Sequence, residues 1–298
     1  MTASALSDRL ATLLGPRFSQ AGPPHVRVLE TRDHHGWLLD DLSFDFAGET
    51  APAWFLRPPS GRVPAVLYAH AHGNNYALGR DELIAGRGSL QGAFGADLVA
   101  QGIAALCIEM PGFAARRSPS ESARAKAALW CGETLWGQML AEQRAGVDFL
   151  AGHAQVEETR IGAMGFSMGC TLAWWLAALD PRIRATSALC CFADIGELVR
   201  LGAHDLHGDF MTVPGLLATA RSGEIAGLIA PRALQIAIGA QDPLTPPTAF
   251  DIARADLTAA YAGTEAALRF HIEPEDGHRE TPAMRLAVLD FLRRELAA

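Results

Sequence analysis

The hydrophobic and polar positions of this chain change their rhythm at Pro58-Pro59. Before that point, apolar and polar residues alternate over residues 25–31 and 41–47, a pattern typical of strands with one exposed face. A third strand is predicted over residues 53–57, ending at the two prolines because proline cannot donate to a β-ladder. These three strands predict an antiparallel edge of a sheet.

Beyond Pro59 the predicted strands are almost continuously hydrophobic and alternate with helices. The predicted strands cover residues 63–69, 103–110, 159–164, 185–191, 233–239 and 268–272. The predicted helices cover residues 94–101, 137–151, 170–179, 247–261 and 281–296. Strands that are apolar on both sides belong to parallel sheets covered by helices on both faces. We therefore expect an α/β fold over residues 25–298, preceded by a helical extension over residues 1–24.

Two segments interrupt this alternation, residues 113–136 and 192–229. Long excursions after strand ends commonly form the walls or lid of a site, although they can also be ordinary surface helices. Phe192, Phe210 and Met211 are apolar candidates for such a wall, with core packing as the alternative.

Composition limits the classes of function. Of 298 residues, 49% are hydrophobic and 19% are charged, which is typical of a globular protein. The formal net charge of −8 argues against nucleic acid as a partner, because nucleic-acid binding needs a basic face. No apolar run has the length of a membrane span, and the beginning of the chain does not resemble a signal peptide. With five cysteines, most of them in apolar runs, we expect a cytoplasmic protein with free thiols, and an oligomer is possible.

The strongest chemical motif is Gly165-Phe166-Ser167-Met168-Gly169, which has the form Gly-x-Ser-x-Gly. It lies between a predicted buried strand and a predicted buried helix, which is the setting of a nucleophile elbow. In such a turn the serine hydroxyl is presented at a helix N-terminus, where peptide N–H groups favour a developing anion. The alternative is a glycine-rich turn that contains a buried, hydrogen-bonded serine.

An acid and a histidine follow two later strands. Asp242 comes after the strand over residues 233–239, and His278 comes after the strand over residues 268–272. Since sites form beyond the carboxyl ends of parallel strands, Ser167, His278 and Asp242 are predicted to serve as nucleophile, general base and orienting acid. Asp194, which follows another strand, is the alternative acid.

An oxyanion hole needs two donors aimed at the developing charge. The backbone N–H of Met168, directly after the serine, is the first predicted donor. The second is predicted to be the N–H of Asn74, in the loop that begins at His70, where Gly73 allows the backbone to approach the substrate.

Taken together, these motifs resemble those of the α/β-hydrolases, in particular the dienelactone-hydrolase-like and acetyl-esterase-like branch. The resemblance covers roughly residues 25–298 and rests on His72-Gly73, Glu109–Gly112, the Ser167 elbow and Ile229–Arg232. It implies an α/β-hydrolase fold and acyl transfer on a small-molecule carboxylic ester without a cofactor. The dienelactone hydrolases proper use a cysteine nucleophile, so serine favours an ordinary ester. Peptidase and thioesterase activities of the same fold stay open.

Two further interpretations come from other classes of protein. His70-Ala71-His72 resembles the metal-binding His-x-His pair of barrel amidohydrolases, and imidazole is a good ligand for zinc. Further ligands would come from His34, His35, His204 and His207. A non-catalytic binding protein on the same fold is the second interpretation. The complete set of Ser167, Asp242 and His278 favours an enzyme without a metal over both.

Overall fold

The computed structural model describes residues 2–19, 22, 24–46 and 48–297. Within these residues, nine strands form one sheet. The strands are β1 (His25–His34), β2 (Trp37–Phe46), β3 (Glu49–Arg57), β4 (Val63–Ala69), β5 (Ala104–Ile108), β6 (Val156–Phe166), β7 (Ile183–Leu189), β8 (Ala233–Gly239) and β9 (Leu268–Glu273).

The helices cover both faces of this sheet. They are α1 (Ala3–Leu14), α2 (Pro16–Ser19), α3 (Glu82–Ala85), α4 (Phe94–Ala100), α5 (Glu121–Trp130), α6 (Leu135–Gly152), α7 (Met168–Leu179), α8 (Ile195–Leu201), α9 (Ser222–Gly227), α10 (Pro247–Ala260) and α11 (Pro282–Ala297). Short 3-10 helices occupy Ala114–Arg116, Ala203–Leu206, Asp209–Met211, Leu216–Ala218 and Glu265–Ala267. In the described part of the chain, no helix has both the length and the hydropathy needed to span a bilayer.

The sheet order is β1-β2-β3-β5-β4-β6-β7-β8-β9. β1, β2, β3 and β5 pair in antiparallel fashion, and all pairs from β5 through β4 to β9 are parallel. This arrangement confirms the predicted fold class. Several bounds differ in detail: β1 and β2 continue to a tight hairpin, β5 is shorter than predicted, and β7 lies two residues earlier in the chain. β6 begins at Val156, which pairs with Val63 of β4.

Successive residues of the central strands enter two different cores, as the period of a strand requires. In β4, Leu67 packs into the cluster that contains Met139 of α6. Its neighbours Val66 and Tyr68 pack into the cluster that contains Phe94 of α4. Burial on both faces explains why these strands have continuously hydrophobic sequences.

The helices at the start of the chain pack on α6. Leu10, Leu14 and Phe18 are buried within the same cluster as Met139. The hydroxyl of Thr134, which caps α6, donates to the carbonyl of Leu14 over 2.9 Å. These contacts join residues 3–19 to the core of the sheet. The division of the chain into an extension over residues 1–24 and a domain over residues 25–298 stays a prediction.

Candidate functional site

Ser167 occupies the turn between β6 and α7, with a φ of 59° and a ψ of −119°. Few side chains adopt a positive φ, and such strain persists only where the surroundings enforce it. Close packing of the backbone provides that constraint. A Cβ on Gly169 would lie 1.9 Å from the carbonyl oxygen of Ala69, and a Cβ on Gly165 would lie 2.4 Å from the backbone of Gly169. Both glycines of the motif are therefore required by packing.

Gly169→Ala is expected to destabilise the protein by about 3 kcal/mol or more, since the atoms that its methyl group would meet are backbone atoms that cannot rotate away. Urea unfolding followed by circular dichroism measures the free energy of unfolding. The matched control is Gly152→Ala at the end of α6, where an added Cβ has no neighbour within 4 Å. An unfolding midpoint for Gly169→Ala equal to that of Gly152→Ala would contradict the prediction.

Ser167, His278 and Asp242, predicted from three separate strand ends, lie in hydrogen-bonding contact. The Oγ of Ser167 is 2.9 Å from Nε2 of His278. The Nδ1 of His278 is 2.7 Å from Oδ2 of Asp242. Oδ1 of the same carboxylate accepts the N–H of Leu244 over 2.8 Å, and Asp242 is only 1% exposed. Such a chain of contacts can move a proton from a hydroxyl to an imidazole whose orientation a carboxylate fixes.

The loops after β8 and β9 are bonded to each other, which brings Asp242 and His278 together. The N–H of Gln241 donates to the carbonyl of Asp276 over 2.8 Å. At Gly239 the two loops touch so closely that a Cβ would lie 2.3 Å from the same carbonyl oxygen. Two adjacent parallel strands thus deliver the acid and the histidine to one place.

Asp194, the alternative acid, has a different role in this structure. It caps the N-terminus of α8, where its Oδ1 accepts the N–H of Glu197 over 2.9 Å. His278 makes its carboxylate contact with Asp242 instead.

The two predicted oxyanion donors line one cavity of about 80 Å³, together with Ser167 and His278. Met168 begins α7, so its N–H lies at the N-terminus of that helix. The N–H of Asn74, however, donates to Nδ1 of His72 over 3.0 Å. The N–H of Gly73, in the same wall of the cavity, has no acceptor among the described residues.

His72 forms a hydrogen bond with a carboxylate that was not among the functional residues predicted from the sequence. Its Nε2 lies 2.5 Å from Oε2 of Glu121, which is buried at the start of α5. Because Nδ1 accepts a backbone N–H, Nε2 carries the proton and donates to Glu121. The other carboxylate oxygen accepts the N–H of Phe210 over 3.3 Å. Glu121 thus joins the loop of His72 to both inserted segments, 113–136 and 192–229.

Part of the wall of the cavity comes from residues 192–229. His207, Phe210 and Met211 line it beside Ser167, and the ring of Phe210 stacks on His72 with a centroid distance of 5.6 Å. A larger cavity of about 630 Å³ lies elsewhere, among residues of α2, α5, α6 and the hairpin of β2 and β3. None of the three predicted catalytic residues lines that larger cavity.

The His-x-His pair does not converge on a common position. Nε2 of His70 accepts the N–H of Met110 over 3.1 Å, so this histidine ties the end of β4 to the end of β5. Burial lowers the pKa of His70 to about 3, and the ring is therefore neutral. His72 bonds to Glu121 and Asn74 as described above.

The other candidate ligands lie apart from this pair or have their own partners. His34 and His35 lie at the hairpin that joins β1 to β2, on the outermost strand of the sheet. His207 contacts the carbonyl of Leu244 through Nε2 over 3.2 Å. Over the ranges that the structure describes, no group of three or more His, Cys, Asp or Glu side chains is arranged to hold a metal ion.

Comparisons with known proteins identify hydrolases to which this chain is similar. The family model described as "Dienelactone hydrolase family" matches residues 57–192. The chain is 36% identical over 279 residues to "Putative hydrolase YtaP" of Bacillus subtilis (strain 168), an alignment that covers 92% of this chain and 93% of the relative.

Two solved structures have the same fold. Acetyl xylan esterase 1 from Thermoanaerobacterium sp. JW/SL YS485 superposes with a TM-score of 0.67 at 15% identity, covering 99% of this chain and 94% of that chain. Acetyl xylan esterase from Paenibacillus sp. R4 superposes with a TM-score of 0.69 at 19% identity, covering 98% and 92%.

Proposed function

We propose that this ester hydrolase, which belongs to the dienelactone hydrolase family, cleaves small carboxylic esters through an acyl-enzyme intermediate on Ser167. The observation that supports the proposal most is the continuous hydrogen-bond chain from Ser167 through His278 to the buried Asp242. No metal ion or organic cofactor takes part in the proposed reaction.

In the first half of the reaction, Oγ of Ser167 attacks the ester carbonyl carbon while Nε2 of His278 takes the hydroxyl proton. Asp242 holds the imidazole in the tautomer that can accept this proton and stabilises the imidazolium that forms. The N–H of Met168 donates a hydrogen bond to the carbonyl oxygen and stabilises the negative charge that develops there. As the second donor we propose Gly73 in place of Asn74, because His72 already engages the Asn74 amide.

Collapse of the tetrahedral intermediate breaks the bond to the alcohol oxygen, and His278 donates its proton to that leaving group. A water molecule then enters, and His278 takes one of its protons as the water attacks the acyl carbon. The acid leaves and the proton returns to Ser167. The small cavity beside the serine, about 80 Å³, favours a short acyl group. The names of the two acetyl xylan esterases of the same fold are consistent with an acetyl ester.

Trapping of the acyl group tests this proposal. With p-nitrophenyl acetate we expect a burst of one nitrophenol per protein molecule at low pH, followed by slow turnover. Mass spectrometry of the trapped protein should place the acetyl group on the peptide that contains Ser167, and a fluorophosphonate should modify the same residue. An adduct on another side chain, or hydrolysis that a fluorophosphonate does not block, would overturn the proposal.

Glu121→Gln is expected to lower kcat about tenfold and to leave the fold intact, since glutamine keeps the shape of the side chain. The substitution removes the charge from a buried hydrogen bond to His72, and such bonds contribute about 1.5–3 kcal/mol. A looser His72 loop would place its oxyanion donor less accurately. Steady-state kinetics with p-nitrophenyl acetate measures the effect on kcat and KM.

The matched control for this prediction is Glu157→Gln, near the start of β6 and at the opposite end of that strand from Ser167. It should retain wild-type kinetics. Equal kcat values for the two variants would exclude a positioning role for Glu121.

A further inference from the structure

A second depression of about 250 Å³ adjoins the catalytic cavity and has an almost entirely apolar lining. We call it the apolar groove, and define it by Ile195, Leu198, Val199, Val213, Leu216 and Leu217. His204, His207 and Thr212 are the polar side chains of its lining, which contains no carboxylate and no guanidinium. Leu217, which lines the groove, is 52% exposed.

The groove lies next to the catalytic cavity, the cavity of about 80 Å³ beside Ser167. His207, Gly208 and Met211 line both spaces, and the catalytic cavity also contains Ser167 and His278. A molecule bound at the serine that extends beyond His207 and Met211 would enter the groove. This adjacency to the serine makes a part of the substrate the candidate occupant of the groove.

The contacts of His207 identify which part of the substrate extends this way. Its Nε2 bonds to the carbonyl of Leu244, and the N–H of Leu244 bonds to Asp242, which in turn contacts His278. The entrance of the groove therefore lies on the side of the acid and the histidine. Since His278 must reach the leaving oxygen to protonate it, this side belongs to the alcohol part of the ester. The loop after β4, which contains His72 and the proposed oxyanion donor Gly73 and which we call the oxyanion loop, lines the catalytic cavity but not the groove.

We propose that the apolar groove binds the aliphatic alcohol part of the ester, so that the preferred substrates are short-chain acyl esters of unbranched apolar alcohols. This inference rests on the proposed esterase function. A sugar alcohol would turn its hydroxyl groups toward Leu198, Val213 and Leu216, which offer no hydrogen bonds, and unpaired polar groups are costly to bury. An aliphatic chain gains from the same contacts.

A series of n-alkyl acetates, from ethyl to octyl, tests the inference. Each added methylene should raise kcat/KM about three- to fourfold until the groove is filled. A parallel series of p-nitrophenyl esters, from acetate to octanoate, should fall in kcat/KM as the acyl chain outgrows the catalytic cavity. Methyl xyloside acetate provides the sugar ester for comparison and should be a poorer substrate than hexyl acetate.

Leu217→Glu places a charge in the groove at a position that is 52% exposed, where substitutions usually change stability little. It should lower the ratio of kcat/KM for octyl acetate to that for ethyl acetate by about tenfold or more, because several methylenes lose their apolar contacts. Leu286→Glu is the matched control, since Leu286 is 70% exposed on α11 and does not line the groove. It should keep the wild-type ratio.

The possible outcomes separate the inference from the function on which it rests. Activity on ethyl acetate without a rise along the alcohol series would overturn the role of the groove and leave the esterase function standing. A rise along the acyl series instead, or a preference for the sugar acetate, would also overturn it. Failure to hydrolyse any ester, with no adduct on Ser167, would overturn both proposals.

Discussion

Ser167→Ala is expected to lower kcat for p-nitrophenyl acetate by about a millionfold, because the variant lacks the atom that forms the acyl-enzyme. The remaining oxyanion donors and the binding cavity should still accelerate hydrolysis about 10³- to 10⁴-fold over water. The free energy of unfolding should change little, since alanine keeps the Cβ that already tolerates the positive φ at this position. Stopped-flow and long-term steady-state assays cover the range of rates.

Cys170→Ala provides the matched control, because Cys170 lies one helical turn beyond the serine and is the nearest other nucleophile along the chain. Its thiol donates to the carbonyl of Cys191, and burial raises its pKa well above the ordinary value. A buried neutral thiol cannot replace the hydroxyl, so this variant should keep nearly full activity. Retention of most activity by Ser167→Ala, or its loss in Cys170→Ala, would mean that the proposed nucleophile is wrong.

The sequence predicted the parallel half of the fold well because the burial of its strands leaves a strong local pattern. β4 and β8 have the predicted bounds, and both are buried on both faces and apolar apart from Gln235 in β8. β6 was predicted too short, because Glu157, Glu158 and Arg160 lie at its partly exposed beginning, where no hydrophobic pattern marks a strand. The pairing of Val156 with Val63 of β4 shows that the strand begins earlier than its hydrophobic pattern indicates.

The placement of Ser167, Asp242 and His278 could be predicted because each follows the carboxyl end of a parallel strand, and topology brings such ends together. The environment of the oxyanion loop could not be predicted in this way. Glu121 lies 49 positions from His72 in the sequence, in an inserted segment that has no regular pattern. The same contact shows why the His-x-His motif was ambiguous. Its two rings differ only in the partners that tertiary structure provides.

Asp242→Asn is expected to lower kcat by about 10⁴-fold while the protein stays folded. An asparagine can keep the bond from the N–H of Leu244 through its oxygen, so the loop should hold its shape. Its amide nitrogen, however, would donate to Nδ1 of His278. The imidazole would then carry its proton on Nε2, where it cannot accept the proton of Ser167. The loss should therefore appear in kcat, and also in the rate at which a fluorophosphonate modifies the serine.

Asp194→Asn is the decisive companion variant, because it makes the same chemical change in the alternative acid. Asparagine and aspartate are comparable helix N-caps, so the bond to the N–H of Glu197 can persist and the stability should change by only a few tenths of a kcal/mol. Wild-type kinetics is expected, since His278 has no contact with this side chain. A larger loss of kcat in Asp194→Asn than in Asp242→Asn would transfer the role of the acid to Asp194. In that case the 2.7 Å contact between Asp242 and His278 would have a structural role in holding the loops after β8 and β9 together.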